Sequence, residues 1–147
     1  MVRRMRFDGV VDKLYEKYVR VVRKEEKIGK VRKKARELGF SEVSVEFNGK
    51  TKEARAMIEI ENEKLKEVAE WLVTEEFYVY RMELIITTAK IEKGKVDERT
   101  LKRANEIGLE YIKYEQIDTD DYIDFFEIEG DEEKEIYVYL AIYNYES

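Results

Sequence analysis

Apolar side chains recur at three- and four-residue steps from Val11 to Leu38: Val11, Leu14, Tyr15, Tyr18, Val21, Val22, Ile28, Val31, Ala35 and Leu38. One face of an α-helix repeats with that period, and a strand does not. The run closes on Leu38-Gly39-Phe40, which fits a left-handed glycine cap with an apolar residue folding back on the last turn. Asp8 is the expected N-cap. A helix over about 9–38 is roughly 45 Å long at 1.5 Å per residue, longer than a small domain is wide. Either it breaks near Gly29 or part of it projects from the body. With 147 residues in all and no Pro- or Ser-rich linker, the chain is read as one domain around one core.

Beyond this helix the period changes. Val43, Val45 and Phe47 alternate, Asn48-Gly49 follows, and Ala54, Ala56, Ile58 and Ile60 alternate again. Asn-Gly between two such runs predicts a two-residue hairpin loop, with Val43 opposite Ala54 and Glu42 opposite Arg55. Asn62 is placed to cap a second helix with the stripe Leu65, Val68, Ala69 and Leu72. A third strand is predicted over about 77–91, with Tyr78, Tyr80, Met82, Leu84 and Ile86 on one side. Gly94-Lys95 reads as a turn and Asp97 as the cap of a third helix with the stripe Leu101, Ala104, Ile107 and Tyr111. Two strands, about 122–129 and 135–145, end the chain around a turn at 130–133. The order is α-ββ-α-β-α-ββ. It predicts an α+β fold in which a mostly antiparallel five-stranded sheet carries the helices on one face.

Composition narrows the chemistry. The sequence has no cysteine and no histidine, which takes away thiolate nucleophiles, soft metal sites and the usual acid–base group near neutral pH. There is no glycine-rich phosphate loop. A calcium loop counted from Asp118 puts Tyr122 and Ile123 where a ligand and a glycine are needed. Glu132-Glu133-Lys134, an E-x-K element of the kind some nucleases carry, falls in a predicted turn. No catalytic residue, metal ligand or cofactor is assigned. The longest mainly apolar run, 136–143, is far short of the roughly 20 residues that cross a bilayer, and no secretory leader is visible, so the expected setting is cytoplasmic, away from membranes. Charged residues make up 42% of the chain, the composition of proteins from thermophiles, in which ion-pair networks gain value with temperature. The absence of proline runs against the usual heat adaptation of loops.

Charge is also uneven. Residues 1–37 hold 14 Lys/Arg against 6 Asp/Glu, whereas residues 106–147 hold 2 against 14. Lys13, Lys17, Arg20, Lys24, Lys27 and Lys34 share one face of the first helix. They are the candidate nucleic-acid contacts, since such a row neutralises phosphates. A solvated face with its own i,i+4 pairs, or a ridge meeting the acidic C-terminal hairpin, is the favoured account of them, because charge runs are usually solvated faces. In the last strand, Ile136, Val138, Leu140 and Ile142 form a core row. Tyr137, Tyr139, Tyr143 and Tyr145 line the other side, as a stacking platform, a protein interface or one face of a sheet covered on both sides. The leading expectation is a non-enzymatic assembly module that self-associates or binds a protein partner. The alternative is a nucleic-acid accessory protein whose binding is weak and non-specific, and the third is a carboxylate- or Mg²⁺-dependent enzyme.

Overall fold

The computed structural model describes residues 2–147, with side chains from Val10 onward. Helix α1 (Val2–Glu37) runs unbroken through Gly29. A single interior glycine costs about 1 kcal/mol relative to alanine, too little to interrupt so long a run. Asp8 lies inside the helix rather than at its N-cap, and its side chain is outside the described residues. At about 54 Å, α1 meets the body, among its described side chains, along its C-terminal half. There Val31 and Ala35 are fully buried and Ile28 packs beside them, while most of 10–26 lies exposed. The helix stops as the sequence predicts. Gly39 takes φ 96°, its N–H donates to the Arg36 carbonyl, and the Phe40 N–H donates to the Ala35 carbonyl at 2.8 Å, the paired bonds of a Schellman cap.

Strands β1 (Glu46–Asn48) and β2 (Glu53–Glu59) form the first hairpin, but with Glu46 opposite Arg55 and Phe47 opposite Ala54. The loop is 49–52, two residues longer than expected. The Asn48 side chain explains this: its Oδ1 accepts from the Lys50 and Thr51 N–H groups, winding a tight turn that ends at Lys52 with φ 61°. The register moves by an even number of positions, so Val43, Val45 and Phe47 keep the core side that their alternation assigned.

Helix α2 (Glu63–Val73) starts at Asn62, whose side chain accepts from the Leu65 N–H. It buries Ala69 and Leu72 as predicted, together with Val73, and leaves Val68 exposed. Strand β3 (Phe77–Thr87) ends earlier than expected and carries a bulge at Tyr80. The extra residue reverses the alternation. Val79 therefore shares the helix side with Met82, while Tyr78 joins Arg81 and Glu83 on the other side. Helix α3 (Glu98–Glu106) is capped by Asp97, whose Oδ1 accepts from the Arg99 and Thr100 N–H groups. It then stops at a second Schellman cap, with Gly108 at φ 72° and the Leu109 N–H donating to the Ala104 carbonyl. That stop frees residues for a sixth strand beyond the five expected, β4 (Glu110–Gln116), so Tyr111 is a strand residue and not the end of the α3 stripe. Strands β5 (Asp121–Asp131) and β6 (Ile136–Glu146) follow, joined by a turn at 132–135.

The result is a six-stranded antiparallel sheet in the order β1-β2-β3-β6-β5-β4, with all three helices on one face. On that face α2 and α3 pack over Met82, Phe126, Leu140 and Ile142, and α1 packs over Ala54, Ala56, Ile86 and Val138. The opposite face has its own small core of Ile85, Ile112, Phe125, Tyr137, Tyr139 and Ala141. Its cover is the connection 88–96, which crosses from the end of β3 to the outer edge of β4. Ile91 packs on the tyrosines, the Gly94 N–H donates to the Ile112 carbonyl, and the Tyr114 N–H donates to the Lys95 carbonyl. No helix among the described residues is long and apolar enough to cross a membrane.

Candidate interaction surfaces

The sequence pattern that builds α1 has two fates along one helix. Its C-terminal third docks on the sheet, and the rest carries the same stripe into solvent. Val11, Leu14, Tyr15, Tyr18, Val21 and Val22 are 43–67% exposed. Monomeric proteins rarely leave a contiguous apolar patch of this kind uncovered.

The six cations predicted to act together are divided by the same geometry. Lys34 reaches the acidic hairpin: its Nζ lies 2.9 Å from Glu129 and 3.0 Å from Glu37, and hydrogen bonds to these carboxylates hold its ammonium above the ordinary lysine value. Lys27 donates to the Lys52 carbonyl, and Lys24 sits over the Phe47 ring at 5.6 Å. Arg20 pairs loosely with Glu16 at 3.7 Å, a distance and exposure at which such a pair contributes little. Lys13 and Lys17 stand exposed on the projecting part of α1. Where α1 passes the first hairpin, Arg20, Arg23, Lys24, Lys27 and Lys52 surround a cleft of about 270 Å³ floored by Phe47 and Val21. The sequence placed most of these cations on one face but gave no hint that a hairpin would bring Lys52 and an aromatic ring to them.

The tyrosine row divides too. Tyr139 is fully buried and Tyr137 nearly so, because the connection 88–96 lies over them. The Ile91 N–H donates to the Tyr139 hydroxyl at 2.9 Å. The layer expected from a partner is thus supplied by the chain itself, and these two residues do not belong to an exposed interface. Tyr143 is half-buried, and Tyr145 reaches the surface. There the bulge in β3 delivers Tyr78 and Tyr80, with ring centroids 5.5 and 5.9 Å from that of Tyr145. Burial first, and the neighbouring Glu83 carboxylate second, push the Tyr143 phenol up to about 12. The Arg81 guanidinium lies 5.5 Å from the centre of its ring.

The carboxylates of the β4–β5 turn make a local structure: Asp118 Oδ1 accepts from the Thr119 N–H at 2.7 Å. Among the described residues no three acidic side chains converge as metal ligands. Lys90 and Glu132, at 2.8 Å, tie the connection 88–96 to the β5–β6 turn, which also holds Glu133 and Lys134.

A polar cluster that the sequence did not flag lies on the helix side of the sheet. Asp124 of β5 accepts from the Tyr111 hydroxyl of β4, and from Asn144 Nδ2 of β6 at 2.8 Å. Burial, outweighing these two hydrogen bonds, raises its carboxyl above the ordinary aspartate value, and Asp97 adds to the rise. No protein-family model matches the chain, and the comparisons with curated proteins and solved structures found no match.

Proposed function

We propose that the protein is an assembly module that works by contact rather than catalysis, pairing with a second copy of itself through the projecting part of α1. The exposed apolar stripe carries the reading. Val11, Leu14, Tyr18 and Val21 step by three, four and three residues, the spacing at which two helices wrap around each other. Each such side chain transferred fully from water contributes roughly 1.5–3 kcal/mol. Because Val11, Leu14 and Tyr18 stand clear of the sheet, a second helix can lie along them, with Val21 at the end of the seam beside the first hairpin. A second copy brings the same stripe, and a two-fold contact closes on itself.

Charge gives the test its direction. Residues 10–24 carry more Lys and Arg than Asp and Glu, so two paired copies repel across the flanks of the seam. Salt screens that repulsion, and self-association is expected to tighten as salt rises. Sedimentation at micromolar concentration over a salt series reads this, with Leu14→Glu and Tyr18→Glu together expected to leave a monomer. A wild-type chain that sediments as a monomer throughout overturns the proposal.

A second reading rests on the cleft between α1 and the first hairpin. Five cations around an aromatic floor suit a nucleic-acid strand, with phosphates on the rim and a base against Phe47. Such binding loosens as salt rises, the opposite sign to the pairing of two helices. Changing Lys24 and Lys52 to Glu is expected to abolish it and to leave self-association in place.

A further inference from the structure

Among the buried polar side chains, Asn144 has an amide oxygen with no partner. The residue is 1% exposed. Its Nδ2 donates to Asp124 Oδ2 at 2.8 Å and to the Ile142 carbonyl at 3.0 Å, while Oδ1 is buried without a hydrogen bond. Flipping the amide does not relieve this, because Oδ1 would then face two acceptors, a carboxylate and a carbonyl. A buried acceptor left unmade costs about 1–3 kcal/mol, and such groups call for a structural or functional account.

Asn144 lines a cavity of about 130 Å³ between the sheet and the start of α3, roughly four times the ~30 Å³ that one water occupies in the liquid. Three further kinds of group line it. Asp124 and Asp97 bring carboxylates, Thr100 a hydroxyl, and Phe77, Tyr114 and Tyr122 aromatic walls. The walls hold one another edge-on, with Phe77 and Tyr114 at 5.7 and 5.9 Å from Tyr122. Acceptors therefore outnumber donors. An anion meets two carboxylates and is repelled. A divalent metal draws six or more hard oxygens into one shell, whereas Tyr111 and Asn144 hold one lone pair of each Asp124 oxygen and the Arg99 and Thr100 N–H groups hold Asp97 Oδ1. The lone pairs left suit single hydrogen bonds. An ammonium group fits on each count: it has donors and no acceptor, its charge offsets the carboxylates, and its methylene stem and charge both suit aromatic faces.

We propose that this pocket binds the head group of a protonated primary alkylamine, with Asn144 Oδ1 and the Asp97 and Asp124 carboxylates as acceptors and Tyr114 and Tyr122 as walls. The same head group terminates a free amine and a lysine side chain. The site is on the helix side of the sheet and is independent of pairing through α1.

The test is a titration of the isotopically labelled protein followed by NMR, with n-butylammonium, N-acetyl-lysine methylamide, n-butanol and n-butyrate as separate probes. Butylammonium and the lysine derivative are expected to move the Asn144 side-chain amide and the Thr100 and Tyr122 backbone signals with saturation, whereas butanol and butyrate leave them in place. A tighter response to one of the two amines assigns the site to free amines or to lysyl chains. Two variants spare the fold. Asp97→Asn keeps a helix cap of equal quality but removes a charge, and Tyr122→Leu removes one wall. Each is expected to weaken amine binding by roughly tenfold. Equal shifts from butanol and butylammonium, no saturable shift with any amine, or unchanged affinity in both variants would overturn the proposal.

Discussion

The Ile91 N–H donates to the Tyr139 hydroxyl at 2.9 Å, so the most buried tyrosine of the last strand is held by the segment that covers it. Tyr139→Phe keeps the ring and loses this bond. The expected cost is about 1 kcal/mol, with faster amide hydrogen exchange at Ile91. Tyr139→Ala, which also empties the core of the second face, is expected to cost roughly 3–5 kcal/mol. Tyr145→Ala, at the exposed end of the same row, loses only its contacts with Tyr78 and Tyr80 and should cost about 1 kcal/mol. Equal losses at both ends would mean that the connection 88–96 does not divide the row.

Glycine offers a paired test. A Cβ added at Gly29 or at Gly108 meets nothing within 4 Å, so crowding does not separate the two sites. Backbone conformation does. Gly108 sits at φ 72° in the cap of α3, where an L-residue costs roughly 1–2 kcal/mol. Gly29 lies inside α1, where alanine is better by up to about 1 kcal/mol. Urea unfolding should show Gly108→Ala destabilising and Gly29→Ala stabilising.

The local signals that held were those with a stereochemical cause. Leu38-Gly39-Phe40 ended α1, and Asn62 and Asp97 started α2 and α3. The missed strand β4 had the same kind of signal. Glu106-Ile107-Gly108-Leu109 repeats the pattern of Glu37-Leu38-Gly39-Phe40, but Tyr111 also fits the helical spacing set by Leu101, Ala104 and Ile107. The periodicity concealed the stop. Tyr80 could not be read as a bulge, because its outward turn is set by pairing with β6. The cations of α1 were legible as a row, whereas their division depends on where Glu129 and the first hairpin come to rest. Tyr111, Asp124 and Asn144 come from three strands with no common spacing. The trace they left was polarity out of place: Asp124 interrupts the row from Tyr122 to Phe126, and Asn144 continues the one that runs from Ile136 to Ile142.

Asp124 gives a pH dependence of unusual sign. Its carboxyl is raised in the folded chain, so across the interval from about 4 upward the native state binds more protons at this site than the unfolded state does. Stability from this group is therefore present at low pH and is lost as pH rises through the folded value. Asp97 and Tyr111 are the titratable groups that face it. In Asp124→Asn the site stays neutral, so unfolding free energy measured from pH 4 to 7 should rise in the variant relative to the parent as pH increases. A difference that is flat or falls with pH would mean that Asp124 is not desolvated.

Leu14 and Val31 belong to one sequence pattern on one helix, yet Val31 is fully buried while Leu14 is 61% exposed. Truncating each to alanine separates what holds the fold from what joins two copies. Val31→Ala removes buried methyls beside Ala35 and Ile86, so about 2 kcal/mol should be lost at any protein concentration. Leu14→Ala touches no part of the core, and in dilute protein its unfolding should match the parent within about 0.5 kcal/mol. At higher concentration the parent gains apparent stability, because pairing favours the folded state by mass action. Leu14→Ala should lose much of that gain. Thermal unfolding of the three proteins over a hundredfold range of concentration measures both effects. If Leu14→Ala costs as much as Val31→Ala in dilute protein, the projecting part of α1 is docked on its own body. The exposed stripe is then no longer available to a second copy.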